Sequence, residues 1–345
     1  MNPLPNPFIE AEGRSANALR VLVLGATGTI GRATALALLR RGHEVVCFVR
    51  DPAANKRRAV LVDPVRVLPG ATLRFGEVSD LQSLTNDGFC GERFDAVVSC
   101  LASRTGVPAD AWAIDYQAHL HALECAKRAG VTQMVLLSAI CVQKPILAFQ
   151  KAKLAFEAEL IGSGLRYSIV RPTAFFKSLS GQIERVKSGK PFLVFGDGTL
   201  TACKPISDAD LGDYIADCLV DQSRWNRVLP IGGPGKAMTP REQAEELFHL
   251  MDRPTKLRHV PVAMLDVIIA VLTAASKLLP ALAVKAELAR IGRYYATESM
   301  LVWNPHTDQY SADETPSTGT ETLASHYAAM LSGSVSVDRG DHAVF

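Results

Sequence analysis

The stretch VLVLGATGTIG, residues 21–31, decides the fold of this chain. It opens with four apolar residues, typical of a short strand buried on both faces, and its glycine-rich turn leads into a helix-forming segment at residues 30–41. Gly25, Gly28 and Gly31 allow the turn to be tight and allow a ligand to come close to the backbone. The order of strand, glycine turn and helix predicts a dinucleotide site, in which N–H groups of the first helical turn bind the phosphates.

Strand and helix patterns alternate along the rest of the first half of the chain. Further strand candidates recur at residues 44–49, 72–75, 96–100, 134–137 and 167–170. Helix-forming patterns at residues 112–129 and 147–161 lie between the later strands. Because parallel strands need a helical crossover, this alternation predicts an α/β fold with a doubly wound parallel sheet of the Rossmann type.

Composition divides the chain into four segments. We expect a flexible leader at residues 1–19, a nucleotide-binding domain at 20–172, a smaller substrate-binding region sharing its core at 173–323, and a polar tail at 324–345. The leader has no basic segment followed by an apolar run, so it does not resemble a secretory signal. After residue 172 glycine and proline cluster and the alternation loosens. The sequence beyond Asn304 is rich in Thr, Ser, Asp and Gly, so we expect its last part to pack poorly.

Charge and cysteine usage exclude several kinds of partner. The 345 residues carry 37 basic and 35 acidic side chains, and a net charge of +2 gives no reason to expect a nucleic acid. Seven cysteines lie far apart, without the close Cys or His pairs that zinc and iron–sulfur sites need. We therefore expect no bound metal, reduced thiols and a cytoplasmic location.

An apolar stretch at residues 260–289 needs its own explanation. Asp266 and Lys277 bracket only ten residues, and Pro280 follows. The stretch is therefore shorter than the roughly 20 apolar residues that span a bilayer, and we expect no transmembrane segment. A buried helix is the expectation, with a lid over the ligand and a peripheral membrane contact as the alternatives.

The end of the second predicted strand decides between the two nicotinamide nucleotides. An acidic residue there accepts from the ribose 2′-hydroxyl of NAD, whereas an arginine pairs with the 2′-phosphate of NADP. Arg50 holds this position and Asp51 follows it, so we predict NADPH as the cofactor. Lys56, Arg57 and Arg58 add positive charge nearby, either as phosphate contacts or as a solvated loop.

The glycine spacing, GxxGxxG, is typical of the short-chain and extended dehydrogenase families. This resemblance adds the loops after the third and fourth strands to the expected site. In such families these loops contact the adenine and run alongside the cofactor. The predicted nucleotide contacts are Gly25, Thr27, Gly28, Thr29, Ile30, Gly31, Arg50, Glu77, Val78, Cys100, Leu101 and Lys153.

The catalytic positions of those families are only partly kept. Short-chain dehydrogenases have a serine after the fifth strand and a Tyr-x-x-x-Lys pair on the next helix, with the tyrosine as proton donor to a carbonyl oxygen. This chain has Ser138 and Lys153, but Phe149 replaces the tyrosine. A phenylalanine cannot protonate a developing alkoxide. Two interpretations stay open: a reductase whose substrate needs no phenol, and a non-catalytic NADP(H)-sensing regulator of the NmrA-like kind.

Six longer runs of sequence resemble the divinyl chlorophyllide 8-vinyl reductase family. They lie at residues 136–145, 149–159, 167–178, 203–207, 229–236 and 291–300, within a resemblance that extends from about Arg20 to Leu323. The resemblance implies NADPH-dependent reduction of the 8-vinyl group of divinyl (proto)chlorophyllide to ethyl, in chlorophyll or bacteriochlorophyll synthesis. It implies a magnesium tetrapyrrole as the small-molecule partner. The kept Lys153 and the long second half of the chain favour the enzyme over the sensor.

The same resemblance explains the missing tyrosine. Hydride added to the terminal vinyl carbon leaves a negative charge that spreads through the macrocycle, so no single oxygen needs a strong donor. Lys153 is the first candidate for delivering the proton and equally for holding the nicotinamide ribose, with Ser138, Tyr116 or water as alternative donors. The expected substrate contacts are Phe149, Phe175, Phe176 and Lys177.

Overall fold

A computed structural model describes residues 18–51 and 63–335 of the chain. Its strands are β1 (Arg20–Leu24), β2 (Glu44–Val49), β3 (Thr72–Phe75), β4 (Ala96–Ser99), β5 (Gln133–Leu137), β6 (Arg166–Pro172), β7 (Phe192–Phe195), β8 (Arg227–Ile231), β9 (Leu257–Val260), β10 (Val302–Asn304) and β11 (Gln309–Ser311). Seven of them form a central parallel sheet in the order β3-β2-β1-β4-β5-β6-β8. The pairs β7-β9 and β10-β11 form two small separate sheets.

Helices connect these strands. They are α1 (Thr29–Arg40), α2 (Pro64–Val67), α3 (Leu81–Ser83), α4 (Pro108–Ala111), α5 (His119–Arg128), α6 (Ala148–Gly162), α7 (Phe176–Leu179), α8 (Ile183–Lys187), α9 (Asp208–Asp217), α10 (Pro240–Leu250), α11 (Val262–Ser276), α12 (Leu282–Thr297) and α13 (Leu323–Leu331). Short π-helical segments at Leu84–Phe89 and Trp112–Ala118 precede β4 and α5. The predicted doubly wound parallel α/β fold is confirmed.

Alternate residues of β1 contribute to two hydrophobic cores, one on each face of the sheet. Val21 and Val23 pack in the core that includes α1 and α9. Leu22 and Leu24 pack in the other core, together with Phe156 of α6. Because β1 lies between β2 and β4, the glycine turn that follows it opens at the middle of the sheet edge, where the strand order changes direction.

The second half of the chain has a core of its own, and part of the predicted tail belongs to it. Leu323 and Tyr327 of α13 are buried with Phe176, Phe192 and Phe248. The expectation that the last part of the tail packs poorly is therefore wrong for α13. The reason is that most residues of this helix are apolar, although they lie in a segment that is polar on average, and Leu323 and Tyr327, four positions apart, lie on one face.

Helix α11 contradicts a second expectation. None of its residues is buried, although the apolar stretch predicts a buried helix. Among the described residues, no helix is long and apolar enough to cross a bilayer. An apolar composition predicts that a helix avoids water, but it does not reveal which surface covers the helix.

Close packing of α1 on α9 leads to a stability prediction. An added Cβ at Gly212 would lie 2.7 Å from the carbonyl carbon of Ala33, so Gly212→Ala pushes the two helices apart. We expect the free energy of unfolding, measured by urea titration, to fall by about 1–3 kcal/mol. Gly162→Ala is the matched control, because an added Cβ there has no atom within 4 Å; stability should stay unchanged or rise by up to about 1 kcal/mol. Equal losses in both variants would contradict this account.

Candidate active site

The glycine turn is built from backbone contacts that only glycine allows. Gly25 has a φ of +76°, and an added Cβ would lie 2.7 Å from the carbonyl of Cys100. At Gly31 an added Cβ would lie 2.1 Å from the carbonyl oxygen of Gly25. The first turn of α1 carries no acidic side chain, so its free N–H groups are open to an anion. This cradle fits the diphosphate of a dinucleotide.

The other predicted contacts lie around this turn. Thr27 and Gly28 are exposed at its tip, whereas the side chain of Ile30 is buried below it. Arg50, also exposed, follows β2 directly. Since the carboxyl ends of parallel strands meet at one edge of a sheet, Arg50 lies at the same edge as the turn. The basic residues 56–58 lie outside the described residues.

The loops after β3 and β4 complete this edge. Cys100 and Leu101 follow β4, with Cys100 against the glycine turn. Beyond β3, the carboxylate of Glu77 accepts from the backbone N–H and the hydroxyl of Ser79, at 3.3 and 2.9 Å. Val78 packs against the second core of the sheet. The Glu77 carboxylate is thus engaged within its own loop, and a contact with adenine stays a prediction.

Lys177 lies at the nucleotide end of the site. Its Nζ donates to the hydroxyl of Thr29, the first residue of α1, at 3.0 Å. Burial raises the pKa of the nearby Asp208 carboxyl, while the charges of Lys177 and Arg32 act in the opposite direction. Two cations therefore stand near the start of α1, where phosphates would bind. The expected role of Lys177 toward the substrate stays a prediction.

Lys153 forms a buried ion pair. Its Nζ lies 3.0 Å from Oδ1 of Asp115, and both side chains are buried. The same carboxylate oxygen accepts from the backbone N–H of Ser103 at 3.2 Å. The other oxygen, Oδ2, is buried and has no hydrogen-bond partner among the described residues. A ligand hydroxyl beside Lys153 would satisfy it, as the ribose of a bound nucleotide can.

A neutral histidine lies next to this pair. His119 Nδ1 donates to the carbonyl of Ile114 at 2.8 Å, and its Nε2 accepts from the hydroxyl of Ser99 at 2.9 Å. Burial and, to a smaller extent, the charge of Lys153 together lower the pKa of His119 to about 4. The imidazole is therefore uncharged at neutral pH, and Lys153 is the cation of this buried group.

Ser138 is engaged with a second buried ion pair. Its hydroxyl donates to Oε1 of Glu157 at 2.5 Å. Glu157 also pairs with the guanidinium of Arg171, which comes from β6. Glu157 lies one helical turn after Lys153 on α6, so the two charges share a face of that helix. The hydroxyl of Ser138 is thus already in use.

Phe149 lies one turn before Lys153, in apolar surroundings. It is 9% exposed and packs in a cluster with Cys141 and with Ile291 and Tyr294 of α12. The Tyr294 phenol donates to the carbonyl of Cys141 at 2.9 Å, and burial raises its pKa. Tyr294 therefore stays protonated and engaged, and the position at 149 carries no proton donor.

The remaining predicted residues lie at different depths. Tyr116 is half-buried, and its phenol donates to Glu159 over 3.5 Å. Phe175 is half-buried against the core of the sheet. Phe176 is 2% exposed and belongs to the core of the second half. The structure thus brings Lys153, Ser138 and Phe149 together through α6, but it buries Phe176 away from them.

Three charged residues of this site are missing from the sequence prediction. The contacts and catalytic groups predicted from the sequence do not include Asp115, Glu157 or Arg171. One indication was available, because Lys153 and Glu157 lie four positions apart in a helix that is otherwise largely apolar. Charges on a buried face need partners, but the sequence does not show that Asp115 and Arg171 supply them.

Comparison with known proteins assigns the class. The fold and the glycine cradle define a nicotinamide nucleotide-binding protein, and the NAD(P)H-binding family matches residues 25–222. The solved complex of leucoanthocyanidin reductase with NADPH from Vitis vinifera has a TM-score of 0.66 and 15% identity; the match covers 91% of this chain and 99% of that one. This likeness confirms the fold.

Two plant proteins are far more similar in sequence. Divinyl chlorophyllide a 8-vinyl-reductase, chloroplastic, from Arabidopsis thaliana is 47% identical, over 92% of this chain and 78% of its own length. The protein of the same name from Cucumis sativus is 49% identical, over 94% and 79%. The chain belongs to the divinyl chlorophyllide a 8-vinyl-reductase family. The predicted family, the NADPH cofactor and the oxidoreductase class are thereby confirmed.

The buried pair of Asp115 and Lys153 generates a prediction about stability. Asp115→Leu and Lys153→Met each leave one buried charge without its partner, so each should lower the free energy of unfolding by about 3–5 kcal/mol. The double variant removes both charges and should be more stable than either single variant. Urea unfolding of all four proteins measures the coupling.

An exposed ion pair serves as the control. Lys187 Nζ and Glu184 Oε1 lie 2.9 Å apart, and the two side chains are 39% and 75% exposed. Glu184→Leu and Lys187→Met should each change stability by less than about 1 kcal/mol. If the two changes at Asp115 and Lys153 were simply additive, the two side chains would not be coupled as the structure shows.

Proposed function

We propose that the protein reduces the 8-vinyl group of divinyl (proto)chlorophyllide to an ethyl group with NADPH, in chlorophyll or bacteriochlorophyll synthesis. The observation that carries the proposal lies on α6: Lys153 is kept in a buried pair with Asp115, while an apolar Phe149 occupies the position of the phenol of carbonyl reductases. The names of the plant relatives supply the substrate. NADPH supplies the hydride when it is bound.

The apolar surroundings of Phe149 suit this substrate. Hydride adds to the terminal vinyl carbon and a proton to the carbon beside the ring, which converts –CH=CH₂ to –CH₂–CH₃. Between the two steps the negative charge is shared with the conjugated macrocycle, so no oxyanion donor is needed at one atom. Phe149 keeps this position apolar, and the buried Ile291 and Tyr294 pack behind it.

Lys153 is proposed to hold the nicotinamide ribose and to deliver the proton. An ammonium has three N–H donors, and among the described residues Asp115 takes one of them. The ion pair, together with the N–H of Ser103 on Asp115, keeps the remaining donors in one position. Donors that are already fixed favour catalysis, because they need little reorientation to reach the transition state.

Ser138, Tyr116 and water stay alternative proton donors. Ser138 already donates to Glu157 at 2.5 Å, so a proton transfer from it would first have to break that bond. Tyr116 is half-buried, and its phenol lies 3.5 Å from Glu159. These contacts support Lys153 over both as the proposed proton donor.

We also propose which part of the chain binds which ligand. Residues 20–172 bind the nucleotide, and residues 173–323 supply contacts to the tetrapyrrole, with Phe175 among them. Lys177 lies between the two ligands, against Thr29 of the cradle, where it can meet a phosphate of the nucleotide or a carboxylate of the pigment. The protein is proposed to act in the cytoplasm at the periphery of a photosynthetic membrane; the plant relatives are named chloroplastic.

An absorbance assay tests the proposed activity. Purified protein with divinyl chlorophyllide and NADPH should shift the Soret band slightly to the blue as the vinyl group leaves the conjugated system. The assay also separates the enzyme from an NADP(H)-sensing regulator. A protein that binds NADPH tightly and yet leaves the band unchanged would contradict the proposed function.

Arg50 should set the preference for NADPH. If its exposed guanidinium binds the 2′-phosphate, Arg50→Ala should weaken NADPH by about 1.5–3 kcal/mol, as for a charge-assisted hydrogen bond, and leave NADH nearly unchanged. Titration of both nucleotides by calorimetry measures this. Arg66→Ala is the control, because Arg66 is also exposed but lies before the amino end of β3. Equal losses for the two nucleotides would show that Arg50 does not read the phosphate.

Substitutions at Phe149 and Lys153 should differ in how strongly they affect turnover. Phe149→Tyr should not raise vinyl reduction, because the charge is on the ring and an unpaired hydroxyl in this cluster costs about 1–3 kcal/mol. Lys153→Ala should lower kcat by more than about a hundredfold. Lys153→Arg separates its two roles, since a guanidinium can bind the ribose but does not release a proton.

The matched control is Lys151→Ala. Lys151 lies on the same helix but is exposed, so kcat should stay within about twofold of the wild type. If the Lys153→Arg variant still bound NADPH but lost turnover, this would support proton delivery by Lys153. Faster turnover in Phe149→Tyr together with normal turnover in Lys153→Ala would overturn the conjugated-anion mechanism.

A further inference from the structure

Helix α11 is apolar on all sides, yet none of its residues is buried. Twelve of its fifteen side chains are those of Ala, Val, Ile, Leu or Met. Water around so much apolar surface is unfavourable, so a helix of this kind is normally covered by protein or lipid. Its main contact is with α12, which leaves the opposite side of α11 without cover.

Helices α11 and α12 and the turn between them form a hairpin, and the uncovered side continues through this turn into α12. We call this side the hairpin face, and it consists of Val267, Ile268, Val271, Leu278, Leu279 and Val284. All six side chains are more than a third exposed, and Leu278 at the turn is 86% exposed. Single exposed apolar residues are common on proteins, but a continuous apolar surface of this kind marks an interaction site.

The unpaired charges around the hairpin face are basic. Lys277 stands before the turn and Lys285 after it, and both are exposed. Neither takes part in an ion pair among the described residues. The two acidic residues of α11 and α12, Asp266 and Glu287, are each paired with an arginine of α12. The hairpin therefore presents an apolar surface with two unmatched positive charges at its turn.

We propose that the hairpin face binds the surface of a membrane that contains anionic lipids. An apolar surface bordered by lysines matches both layers of such a membrane, acyl chains below and negative headgroups above. With fifteen residues α11 is too short to cross the bilayer, so it lies along the surface and inserts its apolar side shallowly. This proposal stands independently of the proposed reduction, because it rests on the surface alone.

The charges argue against a second copy of the chain as the partner. In a symmetric dimer through this surface, Lys277 and Lys285 would face the same two lysines of the other copy. The hairpin offers no unpaired acidic residue that could compensate them, and like charges brought together at an interface are unfavourable. Anionic headgroups, in contrast, supply the missing negative charge.

Flotation with pigment-free vesicles tests the proposal. The full-length protein should float with vesicles of phosphatidylcholine containing about a third phosphatidylglycerol, and much less with phosphatidylcholine alone. Leu278→Glu/Leu279→Glu should lower the partition coefficient by more than about tenfold. Lys277→Gln/Lys285→Gln should lower it by about tenfold for the anionic vesicles only.

The matched control is Val65→Glu/Val220→Glu, which places the same two charges at positions that are 67% and 55% exposed elsewhere on the protein. It should float like the wild type. Thermal melts and NADPH titrations show that each variant is folded.

Failure of the wild type to float, or equal flotation of the Leu278→Glu/Leu279→Glu variant, would overturn the proposal. If the wild type sedimented as a dimer, did not bind vesicles, and became monomeric in this variant, the face would be assigned to a second copy of the chain. If Leu278→Glu/Leu279→Glu raised the KM for the pigment and left flotation unchanged, the hairpin face would instead be a lid over the substrate.

Discussion

The close approach of the glycine turn to the end of β4 is the constraint on which the nucleotide site depends. Gly25 lies against the carbonyl of Cys100, and Gly31 lies against Gly25, at distances that leave no room for a side chain. Because β1 is flanked by β2 and β4, the segments that follow these two strands lie on either side of the turn. Arg50 and Leu101 therefore follow strands on opposite sides of the start of α1, as a dinucleotide bound across the strand ends requires.

Helix α6 connects this nucleotide edge to the second half of the chain. Phe149, Lys153 and Glu157 follow one another at successive turns on one side of the helix. Each has a partner from a different part of the chain: α12 for Phe149, the π-helical segment Trp112–Ala118 for Lys153, and β6 for Glu157. The helix thus orders three environments along its length, apolar, cationic and anionic, and the apolar one replaces the phenol of a carbonyl reductase.

What the sequence predicts well is local. The predicted strands at residues 44–49 and 72–75 coincide with β2 and β3. The first contains five consecutive apolar residues and the second alternates polar and apolar side chains, and both patterns are local. The partner of Lys153 could not be predicted, since Asp115 reaches it through a tertiary contact. Phe176 shows the same limit: an aromatic residue after a strand suits a ligand wall and a core equally, and only the packing of α13 decides for the core.

Helix α12 relates the proposed site to the proposed membrane surface. Its side with Ile291 and Tyr294 packs against Phe149, while Val284 near its start belongs to the hairpin face. A rigid helix transmits a displacement along its whole length. If lipid covers the hairpin, the apolar wall beside Phe149 is held by the same helix that contacts the membrane.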